Sequence, residues 1–203
     1  ISKRATLFPD DYYLPETRLY TCFPCEQCPA QTAKIQINPD DPASPYLHAN
    51  VIAIENSAWE FIATPAPLPF LSEKPPDLSQ FWQAIYHQKN PCYIVDLAGR
   101  DPNDLILQSL PYYPTSSHEP LSCNPIQISL DPNSQPSESP FFMARYQLVH
   151  NLKNLPIKTV TRISVPDWAD GTALDINKLK QLVKLLKETI RPSDSIFIHC
   201  FMG

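Results

Sequence analysis

Glycine is scarce in this sequence, with 3 residues among 203, and positive charge is outnumbered by negative charge. The 16 lysines and arginines stand against 21 aspartates and glutamates, which gives a net charge of -5 and a pI near 5.5. Such a chain has no excess of cations to replace the counterions of a polyphosphate, so we expect no nucleic-acid partner. It also lacks an apolar stretch near the roughly 20 residues that cross a bilayer, and its first residues lack the apolar core of a signal peptide.

Proline is abundant instead, with 24 residues, more than double the usual share of about 5%. A hydrophobic content of 43% and an aromatic content of 10% exclude a disordered proline-rich chain. The prolines concentrate in residues 9–45 and 102–140, where periodicity fades, and we interpret both regions as loop-rich with short strands inside them. A chain of this length can bury one core of ordinary size, so residues 1–203 are expected to form a single domain.

Between these loops, apolar patterns predict a mixture of strands and helices. Two helices are expected, one after Asp77 as N-cap and one after Asp175, each with apolar residues at helical spacing. In the second helix Ile176, Leu179, Leu182, Val183 and Leu186 form an apolar stripe opposite lysines. The alternating or continuous apolar runs that predict strands cover residues 45–55, 60–67, 90–99, 125–130, 142–152, 157–168 and 195–200.

Four segments resemble, in order, the motifs of a protein tyrosine phosphatase catalytic domain. Y-L-H-A-N-V-I is similar to the strand Y-I-N-A-N-x-I, and F-I-A-T-P-A-P-L-P followed by F-W-Q-A-I is similar to F-I-A-T-Q-G-P-L-P and F-W-x-M-I. W-A-D-G-T-A-L-D resembles the W-P-D loop, in the form W-P-D-Q-T-A-V-S of secreted effectors of pathogenic bacteria. I-H-C-F-M-G resembles the first half of the signature V-H-C-S-A-G-x-G-R-[ST].

The resemblance implies an α/β fold, with a central, mixed, highly twisted sheet flanked by helices. It also implies hydrolysis of phosphotyrosine in proteins or peptides, without a cofactor or a metal. A phosphoinositide or an inositol phosphate is the alternative substrate, which would require more lysine and arginine around the site. A phosphatase-like binding module or scaffold without turnover is the alternative function.

Displacing a phenol from phosphate requires a nucleophile that is ionised at neutral pH, whereas a thiol of ordinary pKa, about 8.5, is mostly protonated there. By resemblance Cys200 is this nucleophile, and His199 helps to hold its loop and to activate the thiol. The loop after the cysteine would bind the phosphoryl oxygens through backbone N–H groups ahead of a helix N-terminus. The resemblance therefore implies that the substrate is bound by Phe201, Met202, Gly203, Trp168 and Tyr46.

The departing phenolate needs a proton from a carboxylic acid on a mobile loop, and V-P-D-W-A-D offers two aspartates. Asp170 follows Trp168 and leads into G-T-A-L-D, as in the bacterial effectors, and is preferred as the general acid. Asp167 keeps the Pro-Asp pair of the family and is the alternative. Aspartate, glycine and proline together are also ordinary turn residues.

The signature is incomplete in this sequence, because the family's phosphate-binding arginine, six positions after the cysteine, falls beyond Gly203. We expect that a C-terminal segment follows, and that a protein ending at Gly203 would be inactive. A buried structural thiol is the alternative interpretation of Cys200.

Other features point to function less strongly. Cys22, Cys25 and Cys28 have a spacing that could supply thiolates to a metal, but no second C-x-x-C pair accompanies them, so free thiols or a disulfide are preferred over a metal site. The resemblance favours a cytoplasmic protein, or one secreted into a host cell as an effector, and leaves the oligomeric state open.

Overall fold

The computed structural model describes residues 35–47, 49–67, 78–88, 91–98, 112–134, 140–152, 155–166, 168 and 173–200. These residues form ten strands and two helices. The strands are β1 (Ile35–Gln36), β2 (Tyr46–Leu47), β3 (Asn50–Ala53), β4 (Glu60–Pro65), β5 (Cys92–Asp96), β6 (Leu121–Cys123), β7 (Ile126–Leu130), β8 (Phe142–His150), β9 (Lys158–Ser164) and β10 (Ser195–Cys200). The helices are α1 (Leu78–Tyr86) and α2 (Ile176–Thr189).

Eight strands form one mixed sheet, in the order β3-β4-β10-β5-β9-β8-β7-β6. The central strands β4, β10, β5 and β9 are parallel, whereas the pairs toward both edges are antiparallel. β1 and β2 form a separate antiparallel pair. Because the carboxyl ends of parallel strands meet at one edge of a sheet, the last residues of the four central strands lie together there. We call this the carboxyl edge; its strand ends are Pro65, Asp96, Ser164 and Cys200.

The sheet separates two apolar clusters, one on each face. The larger cluster contains Phe81, Trp82 and Ile85 of α1 together with Ile94 and Phe197 of the sheet. The smaller includes Leu182 of α2 and, from the sheet, Val95, Ile163 and Ile196. Successive side chains of a strand point to opposite faces, which is why neighbours such as Ile94 and Val95 belong to different clusters.

Local sequence signals account for the start of α2 and for the turn between β3 and β4. Asp175 caps α2, since its Oδ1 accepts hydrogen bonds from the backbone N–H groups of Asn177 (2.9 Å) and Lys178 (3.0 Å). Asn56 has φ of 56° in the turn between β3 and β4, a left-handed conformation that asparagine tolerates better than most residues.

Both helices and all seven predicted strand regions are confirmed. Residues 45–55 differ in detail, because they contribute to two strands: β2 pairs with β1, whereas β3 pairs with β4. The short strands expected within the proline-rich regions are present as β1, β6 and β7. Asp77 lies outside the described residues, and the single-domain prediction stays a prediction.

The apolar stripe of α2 is only partly covered. Leu182 is buried, whereas Ile176 is 58% exposed and Val183 is 43% exposed. In the part of the chain that is described, no helix combines the length and the apolar character that a bilayer span requires.

Candidate active site

Cys200 is the last residue of β10, which lies between two parallel neighbours at the centre of the sheet. Its register partner on β4 is Pro65, and the preceding residue, His199, is opposite Asp96 of β5. Among the described cysteines, Cys92 and Cys123 are buried, while Cys200 is partly exposed. Burial raises the pKa of Cys92 to about 12, so that thiol stays protonated at neutral pH. Of the three cysteines that the structure describes, the partly exposed one is therefore at the carboxyl edge.

His199 is buried, and both of its ring nitrogens face polar atoms. Nε2 lies 2.6 Å from the hydroxyl oxygen of Tyr112. Nδ1 lies 3.3 Å from the carbonyl oxygen of Cys200. The Trp82 indole N–H donates a 3.0 Å hydrogen bond to the Tyr112 carbonyl, and the Phe81 ring packs edge-on against the imidazole. Helix α1 thus contacts both Tyr112 and His199 next to the end of β10.

Asp96, at the end of β5, is a buried carboxylate beside this histidine. Its Oδ1 lies 3.8 Å from Nδ1 of His199 and accepts a 3.0 Å hydrogen bond from the backbone N–H of Ala98. Its Oδ2 accepts hydrogen bonds from two nitrogens of Arg162, Nε at 3.0 Å and Nη2. A backbone hydrogen bond also joins the end of β5 to β10, since the Leu97 N–H donates to the His199 carbonyl at 2.8 Å.

The Arg162 guanidinium is enclosed on its other sides by aromatic rings. Its central carbon lies 3.7 Å from the centroid of the Tyr113 ring and 5.8 Å from that of Tyr112. Burial raises the pKa of Tyr112 and of Tyr146, and the nearby positive charge of Arg162 opposes that rise. The Arg162 side chain is 8% exposed, so this cation is buried and paired. We call Asp96, Arg162, Tyr112 and His199 the polar cluster.

Burial and charge fix the ionisation states in the polar cluster. Burial has the largest effect on the pKa of His199 and lowers it; Asp96 opposes this by a smaller amount, Arg162 lowers the pKa again, and the Cys200 carbonyl raises it least, so that the pKa stays below its ordinary value. Burial alone would raise the pKa of Asp96, but the positive charges of protonated His199 and of Arg162, with the hydrogen bonds of that carboxylate, hold it below its ordinary value. Because His199 is neutral near pH 7, Arg162 supplies the attraction that keeps Asp96 ionised. Burial also raises the pKa of Tyr112 well above its usual value, so this phenol keeps its proton.

A cavity of about 550 Å³ opens on the α1 side of the sheet, beside the polar cluster. Arg162 and Ser164 of β9, Tyr113 and Pro166 are among the residues that line it, and Cys200 is not among its described lining residues. The cavity therefore lies next to the exit of β9 and not above the thiol.

Residues 17–203 match the family model described as Protein-tyrosine phosphatase. The chain belongs to the protein-tyrosine phosphatase family.

Two further comparisons agree with this membership. The chain is 24% identical over 169 residues to the receptor-type tyrosine-protein phosphatase V of Rattus norvegicus, an alignment that covers 81% of the chain and 9% of that protein. It also superimposes on the crystal structure of the Trypanosoma cruzi protein tyrosine phosphatase TcPTP1, a potential therapeutic target for Chagas' disease, with a TM-score of 0.72 and 18% identity. That superposition covers 93% of this chain and 64% of the trypanosomal chain, and it shows a shared fold. The chain thus spans less than two thirds of the length of either protein.

The structure places some of the predicted phosphatase residues and leaves others undescribed. Cys200 and His199 lie together at the carboxyl edge. Trp168 follows β9 in the sequence and packs, partly exposed, against the apolar cluster on the α2 face. Tyr46 is the first residue of β2. Asp167, Asp170, Phe201, Met202 and Gly203 lie outside the described residues, as do Cys22, Cys25 and Cys28.

Sequence reasoning missed three members of the polar cluster. Tyr112 lies in a region interpreted as a loop, and nothing in its spacing relates it to His199. Asp96 and Arg162 did carry a signal, since Asp96 is a charged residue within a strand that was predicted to be buried, and Arg162 is a charged residue within a strand that was predicted to alternate between two faces. Period-two alternation also places Arg162 on the same face as buried Val160, which indicates an ionic partner in the core. Within the described residues, no group of three or more potential ligands is arranged to bind a metal.

Proposed function

We propose that this protein hydrolyses phosphotyrosine in proteins or peptides, with Cys200 as the nucleophile. The observation that carries the proposal is the position of Cys200, a partly exposed thiol at the end of a central parallel strand, directly after a buried histidine that contacts its carbonyl oxygen. Ligands of such sheets bind at the carboxyl ends of the strands. The membership of the family supports the same chemistry.

The proposed reaction has two steps. The Cys200 thiolate attacks phosphorus, and a sulfur–phosphorus bond forms as the bond to the phenolic oxygen breaks, while the general acid protonates the phenolate. Water then attacks phosphorus, the same carboxylate takes a proton from that water, and the sulfur–phosphorus bond breaks to release phosphate and the thiolate. Backbone N–H groups of the loop after Cys200 are proposed to bind the equatorial oxygens, with Phe201, Met202 and Gly203 in that loop.

The general acid is proposed to be Asp170, with Asp167 as the alternative. The preference for Asp170 rests on the similarity of W-A-D-G-T-A-L-D to the W-P-D loop, in which the acid follows the tryptophan by two residues. Trp168 and Tyr46 are proposed to contact the substrate. The similarity of W-A-D-G-T-A-L-D to bacterial effectors, and with it a location in a host cell, stays a prediction.

The nucleophile can be tested by Cys200→Ser in the full-length protein. We expect hydrolysis of p-nitrophenyl phosphate and of a phosphotyrosine peptide to fall to background, because a serine hydroxyl is not ionised at neutral pH, whereas peptide binding measured by calorimetry should persist. Cys92→Ala is the matched control, since it removes a buried, protonated thiol from the neighbouring strand and should retain activity. Retention of most activity in Cys200→Ser would exclude this nucleophile, and a wild-type protein that binds without turnover would be the phosphatase-like module instead.

The two aspartates are separated by the leaving group of the substrate. Asp170→Ala should slow phosphotyrosine strongly, by about 10²- to 10⁴-fold, but should slow aryl phosphates with acidic phenols much less, because an acidic phenol departs without a proton. Asp167→Ala should have a smaller effect on both substrates. The measurement is kcat against leaving-group pKa for the two variants, and the reverse ranking would assign the acid to Asp167.

A further inference from the structure

The ring of His199 can be neutral in two forms, with the proton on Nδ1 or on Nε2, and its surroundings decide between them. Nδ1 faces two oxygens that carry no hydrogen, the Cys200 carbonyl at 3.3 Å and Asp96 Oδ1 at 3.8 Å. A bare Nδ1 would direct its lone pair at both oxygens, whereas an Nδ1–H donates to the carbonyl and is attracted by the carboxylate. The side chain is buried, so water cannot substitute for these partners.

The contact of Nε2 requires the same tautomer, with the proton on Nδ1. If the proton is on Nδ1, then Nε2 is an acceptor, and the Tyr112 hydroxyl, 2.6 Å away, must donate to it. The positive charge of Arg162, whose central carbon lies 5.8 Å from the centroid of the Tyr112 ring, favours the orientation in which the hydroxyl proton points away from the guanidinium and toward Nε2. Each Asp96 oxygen already has a donor, Ala98 N–H for Oδ1 and Arg162 for Oδ2.

We propose that Asp96 and Arg162 form a positioning pair that sets the tautomer of His199, with Asp96 drawing the ring proton to Nδ1 and Arg162 turning the Tyr112 hydroxyl proton toward Nε2. The polar interactions then run in one direction: the charge of Arg162 orients the Tyr112 hydroxyl, this hydroxyl donates to Nε2, and Nδ1–H donates to the carbonyl oxygen of Cys200. That carbonyl belongs to the peptide at the start of the loop after the nucleophile. The pair therefore acts on the orientation of this peptide, and it touches neither substrate nor thiol.

This inference rests on the proposed function for its effect on turnover, but its structural part does not. With the other tautomer, the Nδ1 lone pair would face the Cys200 carbonyl oxygen and push that peptide away from its present orientation. The loop donors that follow would then be misplaced relative to the phosphoryl group, and misplacement of catalytic groups by about 1 Å can cost 10²-fold in rate.

The first test measures which tautomer of His199 is present in the full-length wild-type protein. A two-bond ¹⁵N–¹H correlation spectrum at pH 7.5 distinguishes a protonated ring nitrogen from a bare one, and His199 is assigned by the signals that disappear in His199→Gln. We expect a protonated Nδ1 and a bare Nε2. A protonated Nε2 overturns the proposal, whatever the protein does as an enzyme.

The second test removes the pair as a unit with Asp96→Leu plus Arg162→Met, because the double change leaves no unpaired buried charge and should fold. We expect a mixture of His199 tautomers, a kcat reduced about tenfold with little change in KM, and a curve of Cys200 alkylation by iodoacetamide against pH that moves toward higher pH. A purely structural ion pair would leave the tautomer and that curve unchanged, and this result would refute the proposal.

The matched control is another Asp–Arg pair among the described residues, Asp131 and Arg145, whose nearest atoms are 3.9 Å apart. Asp131 resembles Asp96 locally, since its Oδ1 also accepts from the backbone N–H two residues later, that of Asn133. Asp131→Leu plus Arg145→Met should leave the His199 spectrum and the alkylation curve as in the wild type. If this control variant had an equal effect, the changes would come from a general loosening of the fold, and the proposal would also be overturned. If the wild-type protein has the expected tautomer but no phosphatase activity, the proposed function fails while the tautomer assignment stands.

Discussion

The two faces of the sheet differ most where β5, β9 and β10 approach the carboxyl edge. Three pairs of consecutive residues divide between the faces: Val95 and Asp96, Ile163 and Arg162, Ile198 and His199. The first member of each pair packs on the α2 face in an apolar cluster, and the second is a buried polar residue on the α1 face. The same strands thus support two kinds of interior, separated by the thickness of one sheet.

The two kinds of interior differ in how strictly their contacts depend on direction. Apolar contacts on the α2 face stabilise the fold roughly in proportion to the area that they bury, and they tolerate small changes of angle. On the α1 face each group has its partner at a defined atom, as with Nε2 of His199 at 2.6 Å from the Tyr112 hydroxyl. Buried hydrogen bonds of this kind contribute little net free energy, but each unpaired group would cost about 1–3 kcal/mol. Near the carboxyl edge, the apolar cluster on the α2 face therefore mainly contributes stability, and the polar cluster on the α1 face mainly fixes orientation next to Cys200; the larger apolar cluster, farther from that edge, contributes stability on the α1 face as well.

The largest expected effect comes from breaking the ion pair on one side only. Arg162→Met should reduce the free energy of unfolding by about 3–5 kcal/mol, because it leaves Asp96 as a buried charge without its partner. Ile163→Val, the next residue on the opposite face, should reduce it by about 0.5–1.5 kcal/mol, since it removes one methylene from an apolar cluster. Urea denaturation of both variants gives the two free energies.

Adding Asp96→Leu to Arg162→Met provides the internal check on this comparison. Removal of the second charge should recover most of the lost free energy, as replacement of a whole buried ion pair by apolar residues is often neutral or stabilising. The distinction between the faces would be wrong if Arg162→Met cost no more than Ile163→Val, or if the double variant were no more stable than the single one.

The sequence alone predicted the strands and the helix that form the apolar cluster on the α2 face. The apolar runs predicted β5 and β10, the alternating pattern predicted β9, and the helical spacing that follows Asp175 predicted α2. These patterns reflect burial and strand or helix period, which are local properties of the chain. The position of Cys200 at the end of a buried strand followed from the same patterns.

The polar side was not accessible in the same way, because it depends on contacts between residues far apart in sequence. His199 is 87 residues from Tyr112, and Arg162 is 66 residues from Asp96. Periodicity shows that Arg162 faces the core, but it does not show which carboxylate pairs with it. Strand order supplies that information, since β5 lies between β9 and β10 and so brings Asp96 to both Arg162 and His199.

A smaller effect should distinguish the faces through pH, because the described polar cluster on the α1 face titrates and the apolar cluster on the α2 face does not. Burial holds the pKa of His199 below its ordinary value of about 6.5, so the unfolded chain binds a proton at a pH where the folded protein does not. The stability contributed by His199 is therefore fully present above about pH 6.5 and is lost as the pH falls below it. Asp96, whose pKa is also lowered, acts in the same direction at pH values near and below 4. The groups that face His199 in this titration are Asp96, Arg162 and Tyr112, and of these Arg162 and Tyr112 do not change charge in that range.

We therefore expect the free energy of unfolding, measured in urea at intervals from pH 8 to pH 5, to decrease below about pH 6.5. The decrease should be weaker in His199→Gln, which removes the titrating ring, and unchanged in Ile163→Val, which lowers the whole curve without altering its shape. His118→Gln serves as the matched control for the loss of a histidine, because this residue is exposed at the surface. Equal slopes in wild type and His199→Gln would mean that the ring is not held neutral by its buried site, and that the polar cluster is more open to water than its contacts indicate.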